Sequence, residues 1–155
     1  MAELKGSKTE NNLQEAFAGE SQANRKYLAF ADKADAEGHK QVARLFRAAA
    51  AAETVHAHAH LRALGGIKNT KENLQEAISG ETHEFTNMYP QMIEEASSEG
   101  LDVALRSFSF ANTVEKIHAE LYQKAFDNLG LWSRVLEEEE EVGCLKIIVF
   151  EPQAV

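Results

Sequence analysis

The sequence predicts an all-α fold, a four-helix bundle made from a duplicated helical hairpin. Residues of high helix propensity are frequent, and the 155 residues include only two Pro and nine Gly. Apolar residues recur at helical spacing, and the strict alternation typical of strands is nearly absent before residue 142. The first half of the chain also returns, in altered form, in the second half.

Four segments each carry one apolar stripe and are separated by residues that cap or end helices. Ser, Thr and Asn stand before the segments as capping residues, and glycines follow them as terminators. In chain order the segments extend from Ser7 or Thr9 to Gly38, from about His39 to Leu64, from Asn69 or Thr70 to Gly100, and from about Leu101 to Leu129. Residues 1–130 are therefore expected to form one bundle.

The duplication is visible at single residues. The segment NLQEAFAGE at 12–20 returns as NLQEAISGE at 73–81, with seven of nine residues identical and an offset of 61. A Glu-x-x-His pattern then returns at an offset of 62, first as Glu53 and His56 and later as Glu115 and His118. We interpret the chain as one helical hairpin followed by a second copy.

The change of offset means that the third helix carries one extra residue between Glu81 and Gly100. Pro90 lies in the same interval. A proline inside a helix removes a backbone hydrogen bond, and one inserted residue is the origin of a π-bulge. We therefore expect a bulge or kink close to Tyr89-Pro90.

The Glu-x-x-His pattern is a candidate metal chelate. Residues three apart share a face of a helix, so a carboxylate and an imidazole point to a common position. One such pair is expected about once by chance in a chain so rich in Glu, so the pattern alone is weak. Its return in both halves makes it informative.

Further carboxylates lie on the predicted inner stripes. Glu20 stands among apolar residues of the first helix, and Glu81 is its repeat in the third. Buried carboxylates are costly unless they are paired or bind a cation. One Glu from each of two helices and one Glu-x-x-His from each of the other two form a di-iron or di-manganese site in helical bundles. Carboxylate oxygens with one imidazole per metal favour iron or manganese, and zinc stays an alternative.

Glu84 breaks the symmetry of this set. It lies three residues after Glu81, and its counterpart in the first helix is Ala23. An additional carboxylate on one side offers a metal an alternative to His56 or His118, so that the metal can shift as its charge changes. The alternative interpretation is a solvated surface residue.

Charge and composition exclude several classes of partner and site. The net charge is −9 without a basic stripe, which argues against nucleic acid and anionic membranes as partners. We find no signal peptide and no stretch long and apolar enough to span a membrane, so a cytoplasmic protein is expected. The single cysteine, Cys144, excludes a Cys₄ metal centre within one chain.

The motifs AFAGESQANRKY, ETVHAHAH, GETHEFTNMYP and EKIHAELY resemble the rubrerythrin branch of the ferritin-like proteins over roughly residues 8–130. The resemblance implies a ferritin-like bundle that binds two iron ions and reduces hydrogen peroxide to water. It implies the metal ligands Glu20, Glu53, His56, Glu81, Glu84, Glu115 and His118. It also implies that Glu53 and Glu115 bridge the two metals and that one iron exchanges His56 for Glu81 or Glu84 between redox states. Tyr27 and Tyr89 match tyrosines beside the metals in that family, and Glu84 is a candidate for passing protons.

One departure concerns the electron donor. A typical rubrerythrin has a rubredoxin-like Cys₄ domain, whereas the residues after Gly130 contain only Cys144. An external donor, such as a rubredoxin-like protein, is therefore expected. Two other functions stay open: iron oxidation and storage of the ferritin kind, and a metal-stabilised module without catalysis.

The link between the two hairpins is short. In a ferritin-like bundle the second and third helices run parallel, so residues 66–71 would have to climb about 28 Å while reaching about 20 Å. Exchange of hairpins between two chains removes this conflict, and we expect a domain-swapped homodimer with composite sites. Unravelling of helix ends within one chain is the alternative.

Residues 131–155 form a separate region in this interpretation. An acidic run, Glu137 to Glu141, precedes an apolar segment at 142–150. The run is typical of a solvated linker and the apolar segment of a short strand. The sequence indicates no function for either.

Overall fold

The computed structural model describes residues 3–130, and every regular element there is helical. The chain divides between Lys68 and Asn69 into two compact units. The first unit contains α1 (Lys8–Ala36) and α2 (Lys40–Ala63). The second contains α3 (Thr70–His83), a π-helical turn (Glu84–Met88), α4 (Tyr89–Glu99) and α5 (Asp102–Asp127). The predicted helices and helical hairpins are thus confirmed, while a single bundle over residues 1–130 stays a prediction.

Side-chain caps begin the first helix of each unit. The Ser7 hydroxyl accepts a hydrogen bond from the Glu10 backbone N–H at 3.1 Å, and the Glu10 carboxylate accepts one from the Gly6 N–H at 2.6 Å. Asn69 Oδ1 accepts the Glu72 backbone N–H at 3.0 Å. These bonds satisfy N–H groups that have no partner within the helix, so the helices begin where the sequence offers caps.

The turn of the first hairpin depends on Gly38. Its φ of 83° lies in the left-handed region that glycine adopts without strain. Across the turn, the Arg47 guanidinium contacts Asp35 at 2.7 Å and Asp32 at 3.0 Å, which joins the end of α1 to α2. The hydrogen bond that Arg47 donates to Asp35 is the main reason why the pKa of Arg47 is raised. The side chains are exposed, so the pairs contribute little stability.

Small side chains form the contact between α1 and α2. The apolar residues buried here are Ala31, Ala34, Ala43, Ala50 and Ala57. Alanines bring the two backbones close together but offer few protrusions that would specify how far one helix can slide past the other. The aromatic rings of Tyr27, Phe30 and Phe46 pack together beside this contact, with centroids 5.5–6.4 Å apart.

The second hairpin contains the predicted bulge. The π-helical turn ends immediately before Tyr89-Pro90, and the Tyr89 N–H donates to the Glu84 carbonyl, five residues earlier. Glu20 and Glu81 are 61 residues apart, whereas Tyr27 and Tyr89 are 62 residues apart. The inserted residue therefore lies between Glu81 and Tyr89, where the π-turn is found. Pro90 stands in the first turn of α4, where a missing N–H is tolerated.

Large apolar side chains are less buried than the predicted stripes imply. No large side chain of residues 3–130 is fully buried, and Phe30, which lies on the apolar stripe of the first helix, is 47% exposed. In each hairpin, the fully covered positions are mainly alanines. None of the helices in the described part of the chain combines the length and hydropathy needed to cross a bilayer. The expectations for Cys144, the acidic run and the apolar segment at 142–150 concern positions outside the described residues.

Candidate metal centre

Each hairpin assembles one group of two glutamates and one histidine. In the first Glu₂His group (Glu20, Glu53 and His56), the possible ligand atoms lie within 4.8 Å of one another. The His56 Nδ1 atom lies 2.8 Å from Glu53 Oε2 and 4.0 Å from Glu20 Oε1. Glu20 comes from α1 and the other two from α2, so the group depends on how these helices are aligned.

The second Glu₂His group (Glu81, Glu115 and His118) repeats this arrangement in the other hairpin. The His118 Nδ1 atom lies 2.7 Å from Glu115 Oε2 and 3.6 Å from Glu81 Oε2. Glu81 lies on α3, one turn before the π-turn, and the other two residues lie on α5. The same helical spacing of three residues explains both Glu–His contacts.

The electrostatics of the second group favour a cation. Burial raises the pKa of Glu81, and the hydrogen bond and negative charge of Glu115 raise it further. The positive charge of a protonated His118 acts in the opposite direction. Two carboxylates forced together in partial burial are stabilised by a shared proton or by a metal ion. The donor set of carboxylate oxygens and imidazole fits iron or manganese and does not exclude zinc.

Glu84 and Tyr89 lie beside the second group. Burial is the main cause that raises the pKa of Tyr89. The negative charges of Glu115, Glu84 and Glu81 raise it further, so all three carboxylates act on this phenol. Glu84 is half-buried at the first position of the π-turn and lies outside the three residues whose ligand atoms cluster. In the second half of the chain, the structure therefore brings together three predicted site residues, Glu81, Glu115 and His118. Two more, Glu84 and Tyr89, lie next to them.

Tyr27 makes an aromatic contact that Tyr89 repeats. The Tyr27 ring packs against Phe30 and Phe46 with centroids 6.4 Å and 6.1 Å away, and the Tyr89 ring packs against Phe108, the repeat of Phe46, at 6.3 Å. The Tyr27 hydroxyl has no hydrogen bond to Glu20 or Glu53 among the contacts of the described residues. The predicted role of Tyr27 beside a metal stays a prediction.

Two residues near the first group were missed by the sequence analysis. Asn24 lies one turn after Glu20 and is buried, and Thr54 follows Glu53. The Asn24 amide donates to the Ala50 carbonyl at 2.7 Å and to the Thr54 hydroxyl at 2.9 Å. The sequence did show an Asn on an apolar stripe, which indicates a polar side chain that needs a hydrogen-bond partner. The partner could not be identified without the alignment of the two helices.

Comparisons with known proteins agree with the motifs. The rubrerythrin family model matches residues 11–126. The chain is 36% identical to rubrerythrin-2 of Clostridium acetobutylicum over 139 residues, which cover 81% of this chain and 76% of that protein. It is 37% identical to rubrerythrin of Porphyromonas gingivalis over 153 residues, covering 90% and 76%.

A solved structure of fully reduced, all-ferrous nigerythrin is also similar. Its sequence identity to this chain is 34%, with 82% of this chain and 72% of that chain covered and a TM-score of 0.42. Nigerythrin of Nitratidesulfovibrio vulgaris is 36% identical over 135 residues, covering 78% and 67%. With the family model spanning both hairpins and these identities over most of each relative, the chain belongs to the rubrerythrin family.

Proposed function

We propose that this protein is a non-haem diiron peroxidase that reduces hydrogen peroxide to water with electrons from an external donor. The observation that carries the proposal is the presence of two Glu₂His groups, one in each hairpin, within a chain of the rubrerythrin family. Together they contribute four carboxylates and two imidazoles, the set used for two iron or manganese ions in helical bundles.

The proposed ligands are Glu20, Glu53, His56, Glu81, Glu84, Glu115 and His118. Two iron ions held there would supply the two electrons that break the O–O bond of peroxide. In the second hairpin, the raised pKa of Tyr89 keeps its hydroxyl protonated at neutral pH, so it can donate a hydrogen bond. The negative charge of Glu84 acts on Tyr89, so the two side chains are close to each other. We propose that Glu84 passes protons to the oxygen atom that is released when the O–O bond breaks.

The proposed electron donor is a separate rubredoxin-like protein or a small reductant. These 155 residues contain one cysteine and so cannot bind a Cys₄ iron centre. The donor therefore lies outside them. The expected overall reaction consumes one peroxide, two electrons and two protons and yields two water molecules.

The test compares two oxidants on one sample. The protein is loaded with ferrous iron without oxygen and mixed rapidly with hydrogen peroxide or with oxygenated buffer. A much faster reaction with peroxide supports the peroxidase. A faster reaction with oxygen, with a rising ratio of iron to protein, would instead identify iron oxidation and storage, and no reaction with either would leave a module without catalysis.

We further propose that the two Glu₂His groups of one site come from different chains. The helix bounds leave only residues 64–69 between α2 and α3. In a ferritin-like bundle, the climb from the end of α2 to the start of α3 would be about 27 Å, and this link reaches at most about 25 Å in a straight, fully extended line. Both helices keep their ends intact, which supports exchange of hairpins over unravelling.

Complementation tests this exchange. Glu53→Ala disables the first Glu₂His group and Glu115→Ala disables the second. When the two inactive chains are unfolded and refolded together, exchange restores about one quarter of the sites, because half of the dimers are mixed and each has one intact site. Iron content and peroxide reduction that stay at the level of the separate variants would exclude the exchange.

A further inference from the structure

We infer that Asn24 and Thr54 are positioning residues that align α1 with α2 and thereby bring Glu20 to Glu53 and His56. The inference rests on the proposed metal site and adds the residues that build its first half. Asn24 is the one polar side chain among residues 3–130 that is classed as buried, with 7% of its surface exposed.

The bonds around Asn24 form a closed network, here called the Asn24–Thr54 lock. It consists of the Asn24 amide, the Thr54 hydroxyl and the Ala50 carbonyl. The amide donates to the carbonyl at 2.7 Å and to the hydroxyl at 2.9 Å, and the hydroxyl donates to the same carbonyl at 3.2 Å. Both amide hydrogens are therefore used, one on the backbone and one on a side chain of the neighbouring helix.

The location of the lock matters for the metal ligands. Asn24 is one helical turn from Glu20, and Thr54 is adjacent to Glu53 in the chain. The turn at Gly38 holds the other end of the hairpin, about 21 Å away along α1. Without a constraint near the ligands, a small error in alignment at the turn would grow towards Glu20.

The rest of the α1–α2 contact constrains the alignment less well near the ligands. The aromatic contacts of Phe46 with α1 and the ion pairs of Arg47 lie towards the turn. The other buried residues are alanines, which allow close approach but define alignment weakly. Sliding one helix past the other would leave the Asn24 amide buried without partners, which is unfavourable. A single buried Asn is known to fix the register of paired helices in this way.

The second hairpin cannot form the same lock. The positions equivalent to Ala50 and Thr54 are Asn112 and Lys116, and the position equivalent to Asn24 is Phe85 or, counted after the insertion, Thr86. The Thr86 hydroxyl is bonded locally, to the Thr82 carbonyl and Asn87. Asn112 Oδ1 is buried without a partner. The lock therefore acts on the first Glu₂His group alone.

The test uses four single variants of the full chain. Asn24→Leu removes both donors at similar volume, and Thr54→Val removes only the hydroxyl. Thr54→Ser restores the hydroxyl and is the rescue variant. Asn112→Leu is the matched control, because it replaces a half-buried Asn of the second hairpin whose side-chain oxygen is buried without a hydrogen-bond partner.

The first measurement needs no metal. Imidazole nitrogen resonances are recorded for each metal-free variant, and His118 in the same spectrum serves as the internal standard. Asn24→Leu and Thr54→Val are expected to shift the His56 signals and leave those of His118 unchanged, whereas Thr54→Ser and Asn112→Leu leave both unchanged. His56 signals that stay unchanged in folded Asn24→Leu and Thr54→Val would overturn the inference.

The second measurement is titration with cobalt(II), followed by its visible absorption. We expect Asn24→Leu and Thr54→Val to weaken binding about tenfold, the lower end of what loss of supporting residues costs metal sites. Affinities within twofold of the wild type would contradict a positioning role. If the wild-type chain binds no metal, the proposed function fails, while the His56 and His118 signals still decide the inference. If Asn24→Leu does not fold, the comparison of Thr54→Val with Thr54→Ser gives the answer.

Discussion

The side chain of His56 is 55% exposed, whereas that of His118, its counterpart in the second hairpin, is 22% exposed. Each imidazole contacts the glutamate three residues before it at almost the same distance, 2.8 Å and 2.7 Å. The two histidines thus share their local geometry and differ in their access to solvent. The expectation that His56 is the histidine exchanged at the metal stays a prediction.

Chemical modification should distinguish the two histidines. In the metal-free chain, diethyl pyrocarbonate is expected to modify His56 several times faster than His118, because its ring is more accessible. Peptide mapping by mass spectrometry measures both rates in one sample. The exposed His58 provides an upper reference for the rate. Equal rates for His56 and His118 would show that their environments do not differ as described.

The stability of the metal-free protein should depend on the ionisation of Glu81. Its pKa is raised in the folded state, mainly by burial and then by Glu115. The folded state therefore binds this proton more tightly than the unfolded state, and stability falls as the pH rises from below the ordinary carboxyl pKa to above the raised one. Glu81→Gln removes the unfavourable charge and is expected to raise the thermal unfolding midpoint at pH 7.

The comparison at low pH separates this effect from general stabilisation. At pH 4 the advantage of Glu81→Gln should shrink, because the wild-type carboxyl is then largely protonated. Glu120→Gln, at an exposed position of α5, controls for the loss of one negative charge. An unfolding midpoint lowered by Glu81→Gln at pH 7, or raised equally at both pH values, would contradict the proposed cause.

Deletion of Asn87 should remove the π-turn and leave the second Glu₂His group in place. Without the additional residue, α3 and α4 can form one regular helix, and Glu81 then has the same spacing to Gly100 that Glu20 has to Gly38. In the first hairpin this spacing brings Glu20 to Glu53 and His56 without a π-turn. Cobalt(II) titration is therefore expected to give the same affinity for the deletion variant and for Asn87→Ala, which keeps the chain length. Loss of binding in the deletion variant alone would show that the π-turn itself places Glu81.

Loss of the cap at Ser7 should weaken α1. The hydroxyl accepts the Glu10 N–H at 3.1 Å, and removal of such a cap typically costs about 1 kcal/mol. Ser7→Ala is expected to lower the free energy of unfolding by about that amount in urea titrations of the metal-free chain. Thr9→Ala, at an exposed position in the first turn, should change it by less than half as much. Equal effects of the two variants would show that the cap does not stabilise the helix.

The parts of the structure that depend on local spacing were predictable. Caps and glycines placed the helix ends within a few residues, and the spacing of three residues placed Glu53 beside His56 and Glu115 beside His118. The change of offset predicted the bulge. The position of the bulge could have been predicted more closely, because Tyr27 and Tyr89 already show the larger offset and so place the insertion before Tyr89.

The parts that depend on contacts across helices were not predictable in the same way. Asn24 and Thr54 are thirty residues apart, and nothing in either segment indicates that their side chains meet. The exposure of Phe30 was also missed, because an apolar stripe shows which face can be buried and not what covers it. The partner of each hairpin is a property of assembly, which periodicity within one chain does not specify.

The π-turn makes the two halves of the chain non-interchangeable. If the two hairpins were identical, a first hairpin could pair with another first hairpin as well as with a second one, and the resulting sites would have two identical halves. With a carboxylate of its own at Glu84 and one additional residue in the helix that carries Glu81, the second hairpin has become chemically distinct from the first. If Glu84 is a ligand as proposed, the metal position beside it would carry one more carboxylate than the other, and the two positions would differ in charge.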